Sequence, residues 1–210
     1  MNSMKSLKNF VLESNKTYSN NVDATVKGYC DDMMKNLDYS KLKETNEQDP
    51  KRFSISKENK KLMIDNFDNA EYRAISSEEY YGVINKSSRF ADLSTKEKAD
   101  FDTQYGDIII VDKNNTPKYF IDVKISDNYI GAVSLGSLAN FEPNGVYICI
   151  SKKQKKYFVV SHQSLVDAVK ENPELLNAPT KSYKGYNVDW EGEKLTSEYF
   201  IKGYDIAKFK

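Results

Sequence analysis

Two aspartates and a lysine in "YGDIIIVDKNNTPKYFIDVKIS", residues 105–126, are the side chains of this sequence best placed to do chemistry. Asp107, Asp122 and Lys124 interrupt runs that are otherwise apolar, and a charge taken out of water is costly unless something pairs with it. A turn at Asn114 and Asn115 would set Lys113 against Thr116 and Asp112 against Pro117, which carries Asp107 opposite Asp122. Side chains alternate along a strand, so Asp107, Ile109 and Val111 would share a face with Phe120, Asp122 and Lys124. Like charges directly across a strand pair repel. A solvated edge or an ordinary ion pair with Lys124 is the plainer account. The alternative is a hard divalent cation, because Mg²⁺ is held by one or two carboxylates together with water and phosphate oxygens. The apolar residues that bracket all three charges favour the cation. Register decides between them, since one step of slip separates the two acids.

The remaining inventory narrows the chemistry. His162 is the only histidine, which excludes HxxxH zinc motifs, and it ends a strand with no catalytic role assigned. Cys30 and Cys149 are too few for a disulfide framework or a cysteine zinc site, and read as reduced packing residues. Catalysis must therefore rest on carboxylates, lysines or hydroxyls. Acidic and basic residues balance at 31 each, so no global field announces a nucleic acid, although a local basic groove would suffice. With no long apolar run anywhere, the expectation is a cytoplasmic protein without a membrane segment.

Elements must hold these side chains in place. "NVDATVKGYCDDMMKNL" carries Val22, Val26, Tyr29, Met33 and Leu37 at helical spacing, and a second helix is expected over Lys57 to Phe67. Residues 1–73 thus read as a helical N-terminal extension. "SSEEYYGVINKSSRF" predicts a helix opened by a capping box, followed by a polar connector in "ADLSTKEKADFDTQ". After the hairpin, "GAVSLGSLANF" reads as a helix of small residues, "NGVYICIS" and "KKYFVVSH" as strands, and "QSLVDAVKENPELL" as a helix ending near Pro173. Residues 74–180 form the expected core, and 181–210 the expected aromatic-rich strands packing on it. The fold class is α/β of the α+β type, a central mixed sheet flanked by helices.

Gly106-Asp107, a hairpin, and then Asp122-Val123-Lys124 after an apolar run resemble the PD-(D/E)XK nuclease superfamily. The resemblance covers about residues 74–162, with Gly106 standing where the family name has proline. It implies a restriction-endonuclease-like core and Mg²⁺-dependent hydrolysis of DNA phosphodiesters, with Mn²⁺ able to substitute. Asp107, Asp122 and Lys124 would be catalytic. Asp107, Asp122 and the Val123 carbonyl would hold the metal, joined by a glutamate from the preceding helix. Glu79 is the candidate, with Glu78 and Glu71 as substitutes, and its alternative duty is the capping box. The partner would be double-stranded DNA, bound by a chain able to act as a homodimer. Ser134, Ser137 and Asn140 on the following helix, and Lys152 and Lys153 in "SKKQKK", are the candidate DNA contacts; tight packing and a solubilising turn are their plainer readings. Tyr183, Tyr186 and Trp190 would stack on bases or serve core or dimer packing. A type II restriction endonuclease is the first expectation. A junction-resolvase-like phage or repair nuclease, and a non-cleaving binding module of the same fold, are the rivals.

Overall fold

Asp23 opens the first helix by accepting hydrogen bonds at Oδ1 from the Thr25 and Val26 amides, at 2.8 and 3.2 Å. The computed structural model of the chain describes residues 16–17, 20–43, 52–126, 131–171, 185–188 and 194–199. A short strand, β1 (Lys16–Thr17), precedes that helix, α1 (Ala24–Met34). Val26, Tyr29, Cys30, Met33 and Met34 recur three and four residues apart along α1, and all are buried. Helix α2 (Arg52–Asn66) is fixed by Asn59, whose amide clasps the Lys43 backbone from both sides: Oδ1 accepts from its N–H at 3.0 Å and Nδ2 donates to its carbonyl at 2.7 Å. Met63, one turn beyond, is fully buried.

The chain then runs through β2 (Tyr72–Ser76), α3 (Ser77–Ile84), α4 (Thr95–Tyr105), β3 (Ile108–Asp112), β4 (Pro117–Ser126), β5 (Gly131–Ser134) and α5 (Leu135–Asn140). It continues with β6 (Gly145–Ser151), β7 (Lys156–Ser161), α6 (His162–Glu171), β8 (Gly185–Val188) and β9 (Lys194–Tyr199). Five strands form a mixed sheet in the order β2-β3-β4-β6-β7, in which β4 and β6 are parallel and the other pairs antiparallel. Short strands make a second sheet, β1-β9-β8-β5. The fold is therefore α+β, with a five-stranded mixed sheet flanked by helices.

Strand alternation divides the core in two. Ile109, Val111, Phe120, Tyr147 and Cys149 face Tyr80 of α3, Leu138 of α5 and Leu165 of α6. Ile108, Ile110, Ile121 and Ile148 face Val26, Cys30 and Met33 of α1 and Met63 of α2. Ile108 to Val111 are all fully buried, each contributing about 1.5–3 kcal/mol of hydrophobic stabilisation. Helices α1 and α2 are one layer of this core rather than an appended extension, and the expected boundary between residues 73 and 74 cuts through β2.

Three further expectations are corrected. The polar connector is the 11-residue helix α4, started by a full capping box between Ser94 and Glu97. The edge strand β2 lies upstream of α3, where the sequence reading placed the start of a helix-led core. Residues 131–134 are a strand rather than the first turn of a helix, because they hydrogen-bond to β8, a partner more than 50 residues away that local periodicity cannot reveal. Tyr183, Trp190 and the helix stop at Pro173 lie outside the described residues.

Candidate active site

The hairpin reaches the expected register by a different route. Asp112 N–H donates to the Thr116 carbonyl at 3.0 Å and Asn115 N–H to the Asp112 carbonyl at 2.9 Å, so the loop is Lys113 to Asn115, one residue longer than a two-residue turn. Asn115 takes a left-handed φ of 62° that few residues other than glycine and asparagine tolerate. A bulge at Lys118 then absorbs the extra residue: Val111 pairs with Pro117, but Ile110 pairs with Tyr119 and Ile108 with Ile121. The two irregularities cancel, and continuing the ladder one step sets Asp107 across from Asp122.

Gly106 aims Asp107. It caps α4 with φ 73°, its N–H donating to the Asp102 carbonyl at 2.8 Å, and a Cβ there would stand 2.7 Å from the Ile121 carbonyl oxygen. Proline, fixed near φ −65°, cannot adopt this conformation, which accounts for glycine at this position. Asp107 N–H then donates to the Ile121 carbonyl at 2.8 Å.

The side chains converge from there. Asp107 Oδ2 accepts from the Val123 N–H at 2.8 Å, and Lys124 Nζ lies 2.6 Å from Asp122 Oδ2. The Asp107 carboxylate is near enough to Asp122 for its charge to raise the proton affinity of that group. Lys60, from α2, forms an ion pair with Asp107 Oδ1, and both side chains are only 15% exposed. Asp102, on α4, faces the same cluster and shares the wall of one cleft with Ser77. Burial pulls the Asp107 carboxyl upward, but Lys60 and then Lys124 hold it below the ordinary carboxylate range. Asp122 goes the other way: burial raises it, Lys124 opposes the rise, and the neighbouring Asp107 charge adds to it. Asp102 is also raised, by burial first, with Lys60 opposing. Burial would lower both lysines; Asp107 keeps Lys60 above its ordinary value, and Asp122 does the same for Lys124. The pattern is a partly desolvated anionic cluster with its charge incompletely balanced.

A cleft of about 840 Å³ opens beside the cluster between α2 and the α3–α4 layer, with Lys60, Ser77, Asp102 and Asp107 on its wall. Edge-to-face and tilted aromatic contacts brace that layer. Phe101 and Tyr105, which flank Asp102 on α4, lie 6.3 and 5.4 Å from Tyr80, and Tyr105 lies 5.7 Å from Phe120 on β4.

Asp107, Asp122, Lys124 and the Val123 backbone therefore come together, and the glutamates do not. Glu79 is half exposed and pairs with Arg73 at 3.2 Å, while Arg73 also donates to Asn115 Oδ1 at 2.7 Å, drawing Glu79 toward the hairpin turn. Only half of its capping box forms, Ser76 Oγ accepting from the Glu79 N–H. Glu78 pairs with Lys57 at 2.7 Å, and Glu71 is exposed ahead of β2. Among the candidate DNA contacts, Ser134 ends strand β5, Ser137 is buried and Asn140 is exposed at the end of α5, so the three share no helical face. Lys152 and Lys153 occupy the β6–β7 turn, five residues beyond Tyr147, the partner of Asp122, or roughly 16 Å along the strand. Sequence reading missed Lys60 and Asp102. A lysine in "KENKKLM" and an aspartate on a mostly polar helix carry no signal of their own; the Ser94-to-Glu97 capping box and the four-residue spacing of Phe101 and Tyr105 are the local marks of α4 as a helix.

The donor set fits a hard divalent cation. Two adjoining carboxylates, one with raised proton affinity, call for positive charge, and two carboxylates with backbone and solvent oxygens suffice for Mg²⁺. Among the described residues no group of three or more histidine, cysteine or carboxylate side chains stands close enough to form an all-protein cage. No helix among them is long and apolar enough to cross a membrane. No family model matches the chain, and neither a curated protein nor a solved structure matches it at a significant level.

Proposed function

We propose that this chain is a Mg²⁺-dependent DNA endonuclease with a restriction-endonuclease-like core, of the kind found in type II restriction enzymes. The observation that carries the reading is the convergence of Asp107, Asp122 and Lys124 at the centre of the sheet. The helix, hairpin, helix and strand expected of the nuclease superfamily have counterparts in α3, β3–β4, α5 and β6, with α4 and β5 interposed. Asp107 and Asp122 would hold the ion, which when bound supplies Lewis-acid polarisation of a phosphate and a water of lowered pKa. Asp107 is oriented by the Val123 amide, and Asp122 by its place on a central strand. Lys124, fixed two residues from Asp122 on that strand, orients the attacking water or meets charge developing on the phosphate oxygens. The adjoining cleft, with Asp107 on its wall, would give the scissile group a route to that carboxylate.

One observation favours a rival. Lys60 already neutralises Asp107, as it would in a module that binds nucleic acid without cutting it. Incubating plasmid with protein and Mg²⁺, with and without EDTA, separates the two readings. Discrete fragments that vanish with EDTA support a restriction enzyme; nicking confined to branched substrates would move the assignment to a resolvase. Asp122→Ala and Lys124→Ala should each lose at least about 100-fold in cleavage while retaining the wild-type circular dichroism spectrum. Normal cutting by either variant would remove this site from consideration.

A further inference from the structure

We propose that Lys60 is the resident counter-ion of the acid pair, and that a divalent cation entering the site displaces its ammonium from Asp107 to Asp102. The inference rests on the metal-binding reading above. Three carboxylates, Asp102, Asp107 and Asp122, share this cluster with two ammonium groups, those of Lys60 and Lys124. The cluster is one positive charge short of balance when every group is ionised. At Asp107 and Asp122 themselves, however, Lys60 and Lys124 already match the two carboxylates, so a doubly charged cation arriving there leaves an excess of positive charge that falls when one lysine moves to the third carboxylate.

Geometry selects the lysine that moves. Lys124 is carried by β4, between β3 and β6, and its ammonium bonds Asp122 at 2.6 Å from the same strand. Lys60 comes from a separate helix on a flexible stem, and among the described residues it is the ion-pair partner of Asp107 Oδ1. Its destination is also present. Asp102 Oδ1 is buried and has no hydrogen-bond partner among the described residues, a costly condition for a carboxylate oxygen. Lys60 and Asp102 line the same cleft, which leaves the stem room to swing. The orphaned oxygen of Asp102 and the paired oxygen of Asp107 are thus two stations for one ammonium, and metal occupancy selects between them.

Calorimetric titration of the full chain with Ca²⁺, in the absence of DNA, tests the exchange. K60Q should bind Ca²⁺ on the order of tenfold more tightly than the unaltered chain, as expected when a competing buried charge is removed. D102N should weaken binding in the unaltered background and have a much smaller effect in K60Q. In wild-type protein labelled with ¹³Cε-lysine, the Lys60 resonance should shift on saturation with Ca²⁺, a readout that does not depend on how the variants fold. Equal or weaker binding by K60Q, equal effects of D102N in both backgrounds, an unmoved Lys60 resonance, or no Ca²⁺ binding by any of these proteins overturns the proposal. Tighter binding by K60Q with no DNA cleavage would sink the nuclease reading alone. Metal-dependent cleavage with K60Q no tighter would sink the exchange alone.

Discussion

At the scale of single residues, environment rather than residue type sets what each charge does. Asp107 and Asp122 are chemically identical, yet two lysines pull one down while burial and its neighbour push the other up. His162 shows the same principle away from the site. It is fully buried at the start of α6, with the Tyr147 hydroxyl 2.9 Å from Nδ1 and the Phe141 ring 5.4 Å away edge-on. Burial, with Lys170 adding to it, lowers its pKa from 6.5 to about 4. The unfolded chain therefore takes up a proton between those values that the folded chain refuses. Stability from this group is complete above pH 6.5 and is lost as pH falls toward 4, a swing of about 3 kcal/mol. In His162→Gln, urea unfolding from pH 7 to pH 4 should show a fall smaller by about that amount. Parallel curves for variant and wild type would refute the assignment.

At the scale of elements, two local irregularities secure the register on which the site depends. The left-handed Asn115 lengthens the hairpin loop, the Lys118 bulge restores the ladder, and Gly106 turns the chain so that Asp107 meets β4. Gly106 is the point most sensitive to change. An alanine there would need a left-handed backbone and would press on the Ile121 carbonyl, the group that anchors Asp107. Gly106→Ala should lose about 2 kcal/mol or more of stability. It should also lose cleavage in the protein that remains folded, because Asp107 is displaced. A melting temperature within a degree of wild type would show that the turn carries no such strain.

At the scale of the whole molecule, the N-terminal helices decide whether the site exists at all. Helix α1 covers one face of the sheet, α2 delivers Lys60, and Asn20 ties this region to β7 through the Val159 carbonyl at 2.9 Å and the Ser161 amide at 3.1 Å. A chain beginning at Ala74 would expose Ile108, Ile110, Ile121 and Ile148 to water and lose the first two residues of β2. It should be recovered only as aggregate or as an unfolded species by circular dichroism. A cooperative thermal transition from such a chain would show that residues 74–180 are a domain in their own right.

The alternation in residues 105–126 was enough to identify a central hairpin, its two faces and the convergence of Asp107, Asp122 and Lys124, because period-two patterning is a property of neighbours in sequence. Helix α1 was legible for the same reason, its buried residues falling at helical spacing. The loop length was not legible: a three-residue loop with a bulge and a two-residue turn without one lead to the same register. Helix α4 is polar but for Ala99, Phe101 and Tyr105, too short an apolar stripe to stand out from a connector, so Asp102 stayed hidden. Strand β5 needed a distant partner to become a strand. Only the tertiary structure placed Lys60, since a lysine pairs with Asp107 through the packing of α2 on the sheet, a contact 47 residues away in the chain. The sequence by itself determined which charges stand in the sheet. The packing of helices against that sheet decided which charges answer them, because electrostatic pairing depends on distance in space, and only local distances are written in sequence order.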